Sequence, residues 1–186
     1  HGYEPGGRLT VLDAEIADAA LARGKGTIFF SGHFANWELM PMAARHRGYE
    51  GVVVYRPPNN PYVDQWMVRQ RSRYTFPALA GKGTDGTRAI LNTLRKGQPL
   101  MMLIAQKMNE GVPVPFFGHD AMTAPAAAHL AIKYGSPLVP VGIRREKGAH
   151  FTIRVYPEIA LAQTGDRIAD TIETTRRLNV YLEDRI

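Results

Sequence analysis

The chain has 186 residues, 45% hydrophobic and 22% charged, a balance that suits one folded domain with a substantial core and excludes a disordered chain. Lys and Arg number 23 against 17 Asp and Glu, so the formal charge of +6 favours an acidic partner such as nucleic acid, anionic headgroups or an acidic carrier protein. With no cysteine, a disulfide framework and a thiol nucleophile are both excluded. Leu12, Ile16, Ala19 and Ala20 fall at helical spacing, and Gly24 and Gly26 end that helix. The apolar run Thr27–Ser31 reads as a buried strand. A helix over 36–46, a strand over 51–55 and a helix over 61–73 follow. Ala89, Ile90, Leu91 and Leu94 mark another helix, stopped by Gly97. "PLMMLIA" is a second buried strand, whose unbroken apolar character suits a sheet covered on both faces. Thr123 is expected to cap a helix through Tyr134, with Pro125 in its first turn. "PLVPVGI" and "FTIRVY" read as strands, and 166–183 as a final amphipathic helix. The alternation predicts a single α/β domain over 1–186, with a mixed, mostly parallel sheet flanked by helices on both faces.

The densest cluster of chemistry is "FFSGHFANWELM", which brings His33, Asn36, Trp37 and Glu38 together just after the first buried strand. On a continuous helix, five residues turn through about 500°, roughly 140° off the starting direction, so His33 and Glu38 would diverge. If the strand ends near Ser31 and a helix begins near Asn36, His33 lies on the connecting turn. Glu38 then sits in the first helical turn, where chain reversal can return it to the ring. A carboxylate on one ring nitrogen leaves the other free as a base. Ser31 lacks the G-x-S-x-G setting of a nucleophile elbow, so the pair suits direct transfer: the base deprotonates a substrate hydroxyl, which attacks an activated carbonyl. The plainer alternative is that His33 bonds a turn and Glu38 caps a helix.

In parallel α/β sheets ligands collect outside the carboxyl ends of strands, where His33, Arg56 and Gln106 all fall. Arg56 precedes Pro57 and Pro58, and is either a phosphate-gripping guanidinium or a surface strand-end arginine. "GKGTDGT" fails the P-loop pattern, because Gly83 stands where Ser or Thr must follow the lysine. Lys82 in it either meets a phosphate or anionic headgroup, or sits in a plain flexible loop. "VPVPFFGHDAMTAP" reads as a proline-punctuated loop, in which Phe116 and Phe117 line an acyl-chain groove or pack onto the core. Basic groups at Arg69, Arg71 and Arg73, at Arg144, Arg145 and Lys147, and at Arg176 and Arg177 form no nucleic-acid module, so nucleic acid is not expected as a partner. His1, His46, His119, His129 and His150 show no ligand spacing, and no metal site is expected. No window approaches the roughly 18 consecutive apolar residues of a membrane span. The chain opens on His1 without a signal pattern and is expected to be a fragment.

"GHFANWELM" resembles the active-site motif of the bacterial lipid A biosynthesis acyltransferases, within the wider glycerolipid and lysophospholipid acyltransferase superfamily, whose signature is H-x₄-D/E. "VVVYRPPNNPYVDQW", "RAILNTLRKGQPL", "QKMNEGVPVPFFGHDAMTAPAAAHLA" and "PLVPVGIRR" follow in the family's order, so the resemblance runs over about 26–158. It implies transfer of a fatty acyl chain from an acyl carrier protein thioester to a hydroxyl of a lipid A precursor. His33 would be the base and Glu38 would orient its ring. Asn36, Arg56, Lys82, Gln106, Phe116 and Phe117 would bind substrate, with no metal or redox cofactor. It also implies a place at the cytoplasmic face of the bacterial inner membrane, with a hydrophobic anchor before this region and further chain after it. One departure stands out: relatives usually carry an aspartate beside the glutamine, which would balance Arg56, and here that position is Ala105. Lost activity, substitution by Glu110 or Asp120, and a dispensable aspartate all remain open. Another glycolipid or amino-acid lipid acceptor, a non-catalytic lipid- or carrier-binding homologue, and a hydrolase are the alternative functions.

Overall fold

In the computed structural model, which describes residues 7–81 and 83–186, strands and helices alternate along the chain. They are β1 (Leu9–Leu12), α1 (Ala14–Ala22), β2 (Thr27–Ser31), α2 (Leu39–His46), β3 (Val52–Val54), α3 (Pro61–Tyr74), β4 (Ala78–Ala80) and α4 (Thr84–Arg95). Then come β5 (Pro99–Leu103), β6 (Lys107–Phe116), β7 (His119–Thr123), α5 (Ala126–Tyr134), β8 (Leu138–Arg145), β9 (Phe151–Val155) and α6 (Arg167–Glu183). The main sheet has the order β1-β9-β8-β2-β5-β3-β4. Every neighbouring pair in it is parallel except β8 with β9. This is the expected mixed, mostly parallel α/β sheet.

All five residues of β2 are buried, which its place between β5 and β8 requires. Successive side chains alternate between two cores. Ile28 and Phe30 join Leu100, Leu138 and residues of α4, α5 and α6 on one face. Phe29 joins Val139, Val141 and residues of α1 and α2 on the other. Gly26 lets the chain enter β2: its φ is +65°, and a Cβ there would lie 2.6 Å from the Leu94 carbonyl oxygen.

Several expectations need correction. Leu12 closes β1, paired with Arg154 of β9, and α1 starts only at Ala14, after Asp13 takes a left-handed φ of 56°. The 36–46 helix begins at Leu39. Thr123 ends a strand instead of capping α5: its hydroxyl donates to the Ala121 carbonyl and accepts from Asn179. Pro125 stands at the N-cap of α5. The 81–87 loop is shorter than expected, because α4 starts at Thr84, where Gly86 rests against the Gly81 carbonyl. The proline-punctuated segment is a β-hairpin, β6–β7, turning at Phe117 and Gly118 with both φ angles positive, as the right-handed twist of a two-residue hairpin requires. Among the described residues no helix is long and apolar enough to cross a membrane.

Helix α6 opens at Asp166, whose carboxylate accepts from the Ile168 and Ala169 amides. Asp170 accepts from the Thr164 amide and hydroxyl and from the Gly165 amide, and these bonds hold its carboxyl below its usual range. Glu173, gripped by Arg176 and Arg177, is lowered to about 2. A lowered folded-state value makes a contribution that is full above the unfolded-state value and lost as pH falls. Stability should therefore decline as pH drops below the ordinary values of 3.8 and 4.5 toward about 2. In thermal melts across that range, Asp170→Asn should flatten the acid limb and lower the midpoint at neutral pH.

Candidate active site

Strand β2 delivers the site. After Ser31 the chain turns back over Gly32, where a Cβ would meet the Phe34 ring at 2.7 Å, so glycine leaves the room into which Phe34 folds. Ala35 takes a φ of 38°, an uncommon conformation for a residue with a side chain, and such strain is held only where the surroundings fix it. The turn closes through Leu39 N–H to the Asn36 carbonyl and Met40 N–H to the Trp37 carbonyl. Glu38 thus stands immediately before α2 and gives that helix no side-chain cap. His33 and Asn36 are exposed on the turn. The amides of Phe34, Ala35, Asn36 and Trp37 donate to no backbone carbonyl among the described residues. Ser31 is 2% exposed and out of reach of a substrate.

The Glu38 carboxylate is held from a neighbouring helix. Arg71 of α3 donates to Oε1 from Nη2 at 2.5 Å and from Nε at 3.1 Å, and to Oε2 only from Nε at 3.3 Å. The Arg71 guanidinium lies 5.4 Å from the Trp37 ring centre and 5.7 Å from that of Tyr55. The His33 ring stands edge-on to Trp37 with centroids 6.2 Å apart. Tyr55 titrates above its usual value, chiefly through burial and then through the negative charge of Asp64. Among the described residues no hydrogen bond joins His33 to Glu38. Arg71 is the residue the sequence reading missed. It stands in one basic run with Arg69 and Arg73, although alternate residues on a helix point about 200° apart.

Because β2, β5 and β3 are parallel neighbours, their carboxyl ends share one edge, and the stretches carrying His33, Gln106 and Arg56 follow those ends. Arg56 and Gln106 are exposed, and Arg56 has no carboxylate partner among the described residues. Glu110 and Asp120 form no ion pair among them either. Position 105 itself is exposed. Lys82 lies outside the described residues. Phe116 packs on the same core cluster as Phe34, while Phe117 is exposed at the hairpin tip and its amide donates to Glu183 of α6. Between α2 and α3 runs a groove of about 340 Å³, lined by Leu39, Met42, Trp66, Met67 and Tyr74 together with Glu38 and Arg71. Among the described residues no three His, Asp or Glu side chains converge as a metal site would need.

A family model described as bacterial lipid A biosynthesis acyltransferase matches residues 6–186. A phosphatidylinositol mannoside acyltransferase of Mycolicibacterium smegmatis is 26% identical over 169 residues, covering 89% of this chain and 55% of the relative. One from Mycobacterium tuberculosis is 26% identical over 145 residues, 76% of this chain and 46% of the relative. The chain thus spans about half the length of the curated relatives it matches.

The Arg71 fork predicts a measurable stability loss. Arg71 is 11% exposed, so its removal leaves Glu38 without its charge-assisted bonds. Arg71→Ala should cost about 1.5–3 kcal/mol in denaturant unfolding. Arg71→Lys should recover little, since a point charge replaces neither the fork nor the stacking on Trp37 and Tyr55.

Proposed function

The chain belongs to the bacterial lipid A biosynthesis acyltransferase family, and from that premise we propose that it moves a fatty acyl chain from an acyl carrier protein thioester to a hydroxyl of a lipid A precursor. His33 takes the proton of the acceptor hydroxyl, whose oxygen attacks the thioester carbonyl. The amides of Phe34 to Trp37, on the turn after His33, are the candidates to meet the oxyanion. The C–S bond then breaks, and the proton passes from His33 to the leaving thiolate, giving an ester and a free thiol. Glu38 steadies the imidazolium through Oε2, which carries only the one long bond from Arg71 and has lone pairs to spare. Arg71 acts through Glu38 as a positioning residue.

The observation that carries this reading is the coincidence at one strand end of an exposed histidine, a fixed carboxylate and an apolar groove. The groove between α2 and α3 suits the acyl chain, being mostly apolar with a charged pair among its walls. Arg56, Asn36, Gln106, Lys82, Phe116 and Phe117 remain candidates for the anionic and apolar parts of the substrates. The formal charge of +6 suits an acidic carrier protein. A lipid acceptor puts the chain at a membrane surface, and a carrier-protein donor makes that the cytoplasmic face of the inner membrane. The names of the mycobacterial relatives favour a second acceptor, the hydroxyl of a phosphatidylinositol mannoside. Acyl-CoA is an alternative donor.

Mass spectrometry of each acceptor, incubated with thioester donor and protein, separates these readings. A gain of one acyl group should appear on one acceptor class and fall by roughly 10²–10⁴-fold in His33→Ala. Equal turnover by His33→Ala would remove His33 from the mechanism.

A further inference from the structure

Helix α3 has no buried residue, yet it carries Arg71 into the site. At about 100° per residue, Tyr62, Trp66, Arg69 and Arg73 fall within about 60° of one another, and Arg71 lies about 180° from Tyr62. One face of the helix thus serves the site, while the opposite face meets solvent. The outward face is unusual for a water-exposed helix. Tyr62 is 80% and Trp66 62% exposed, and Val63 and Tyr74 flank them. Arg69 and Arg73 continue the stripe, and among the described residues neither guanidinium meets a carboxylate; Arg73 rests only on the Tyr74 ring.

We infer that this face seats the protein on an anionic lipid bilayer. Tyr and Trp are the side chains that settle at the boundary of headgroup and hydrocarbon, one end apolar and the other wet. Arginines on the same stripe find their missing counter-charges in lipid phosphates. A covering protein segment would have to bring carboxylates to Arg69 and Arg73, whereas a bilayer of acidic lipids presents anions throughout its surface. Trp66 and Tyr74 also line the groove between α2 and α3, so a helix seated this way opens that groove toward the source of its lipid. The choice of a bilayer rests on the lipid-acceptor reading, but docking is measured without turnover and stands or falls separately.

The test is co-sedimentation of the chain with phosphatidylcholine vesicles, with and without phosphatidylglycerol. Binding should appear with the acidic lipid and weaken at high salt. Arg69→Gln with Arg73→Gln should reduce partitioning about thirtyfold. Tyr62→Ser should reduce it further, with thermal unfolding unchanged for these exposed positions. Trp66 fluorescence should shift to the blue on acidic vesicles, and the shift should vanish in Trp66→Phe. On a short-chain acceptor free in solution, the Tyr62, Arg69 and Arg73 variants should turn over as the parent does. Failure to bind acidic vesicles would overturn the inference, as would binding indifferent to these variants. Self-association in light scattering that Tyr62→Ser abolishes would assign the face to a second copy and overturn it equally.

Discussion

The Arg71–Glu38 fork is the contact on which the site's architecture depends. No residue of α3 is fully buried, so polar and stacking contacts carry much of its attachment. Arg71 supplies one fastening, bonded to Glu38 and lying against the rings of Trp37 and Tyr55. Arg45 of α2 supplies another, donating to the Ser72, Arg73 and Thr75 carbonyls and closing the C-terminal end of α3. Both draw α3 against the start and side of α2. They define the groove between the two helices and hold a carboxylate beside the turn that bears His33.

The sheet provides the rigid half of the same arrangement. Its central strand is buried on both faces and ends where His33 begins, so the turn departs from the most constrained part of the molecule. The left-handed φ of Ala35 and the close approach of Phe34 to Gly32 are tolerated because that base does not yield. A precise turn against a polar-fastened helix suits the proposed reaction, which must align three groups: acceptor oxygen, thioester carbonyl and base.

Much of the fold was legible because β2, β5 and β8 are continuous apolar runs and Asp166 is a strong cap. The convergence of His33, Arg56 and Gln106 on one sheet edge was legible for the same reason, since parallel strands put their ends together. The misses have physical causes. Leu9–Leu12 is stabilised by parallel pairing with β9, a partner far along the chain that no local window contains. The β6–β7 hairpin turns on Phe117 and Gly118, without the Asn-Gly or Asp-Gly pair that marks such turns, and its prolines resemble loop punctuation. The His33–Glu38 spacing was visible, but the partner that Glu38 takes lies on another helix. Arg71 was readable only by separating it from Arg69 and Arg73 on the helical wheel.

The central claim is that Arg71 serves the reaction through Glu38 and not on its own account. A double-mutant cycle on kcat/KM for acyl transfer, with Glu38→Gln, Arg71→Met and the pair combined, tests it most directly. If the two act as a unit, the double variant will be about as impaired as the worse single one. Losses that multiply would mean that Arg71 meets the substrate independently, and would contradict the account.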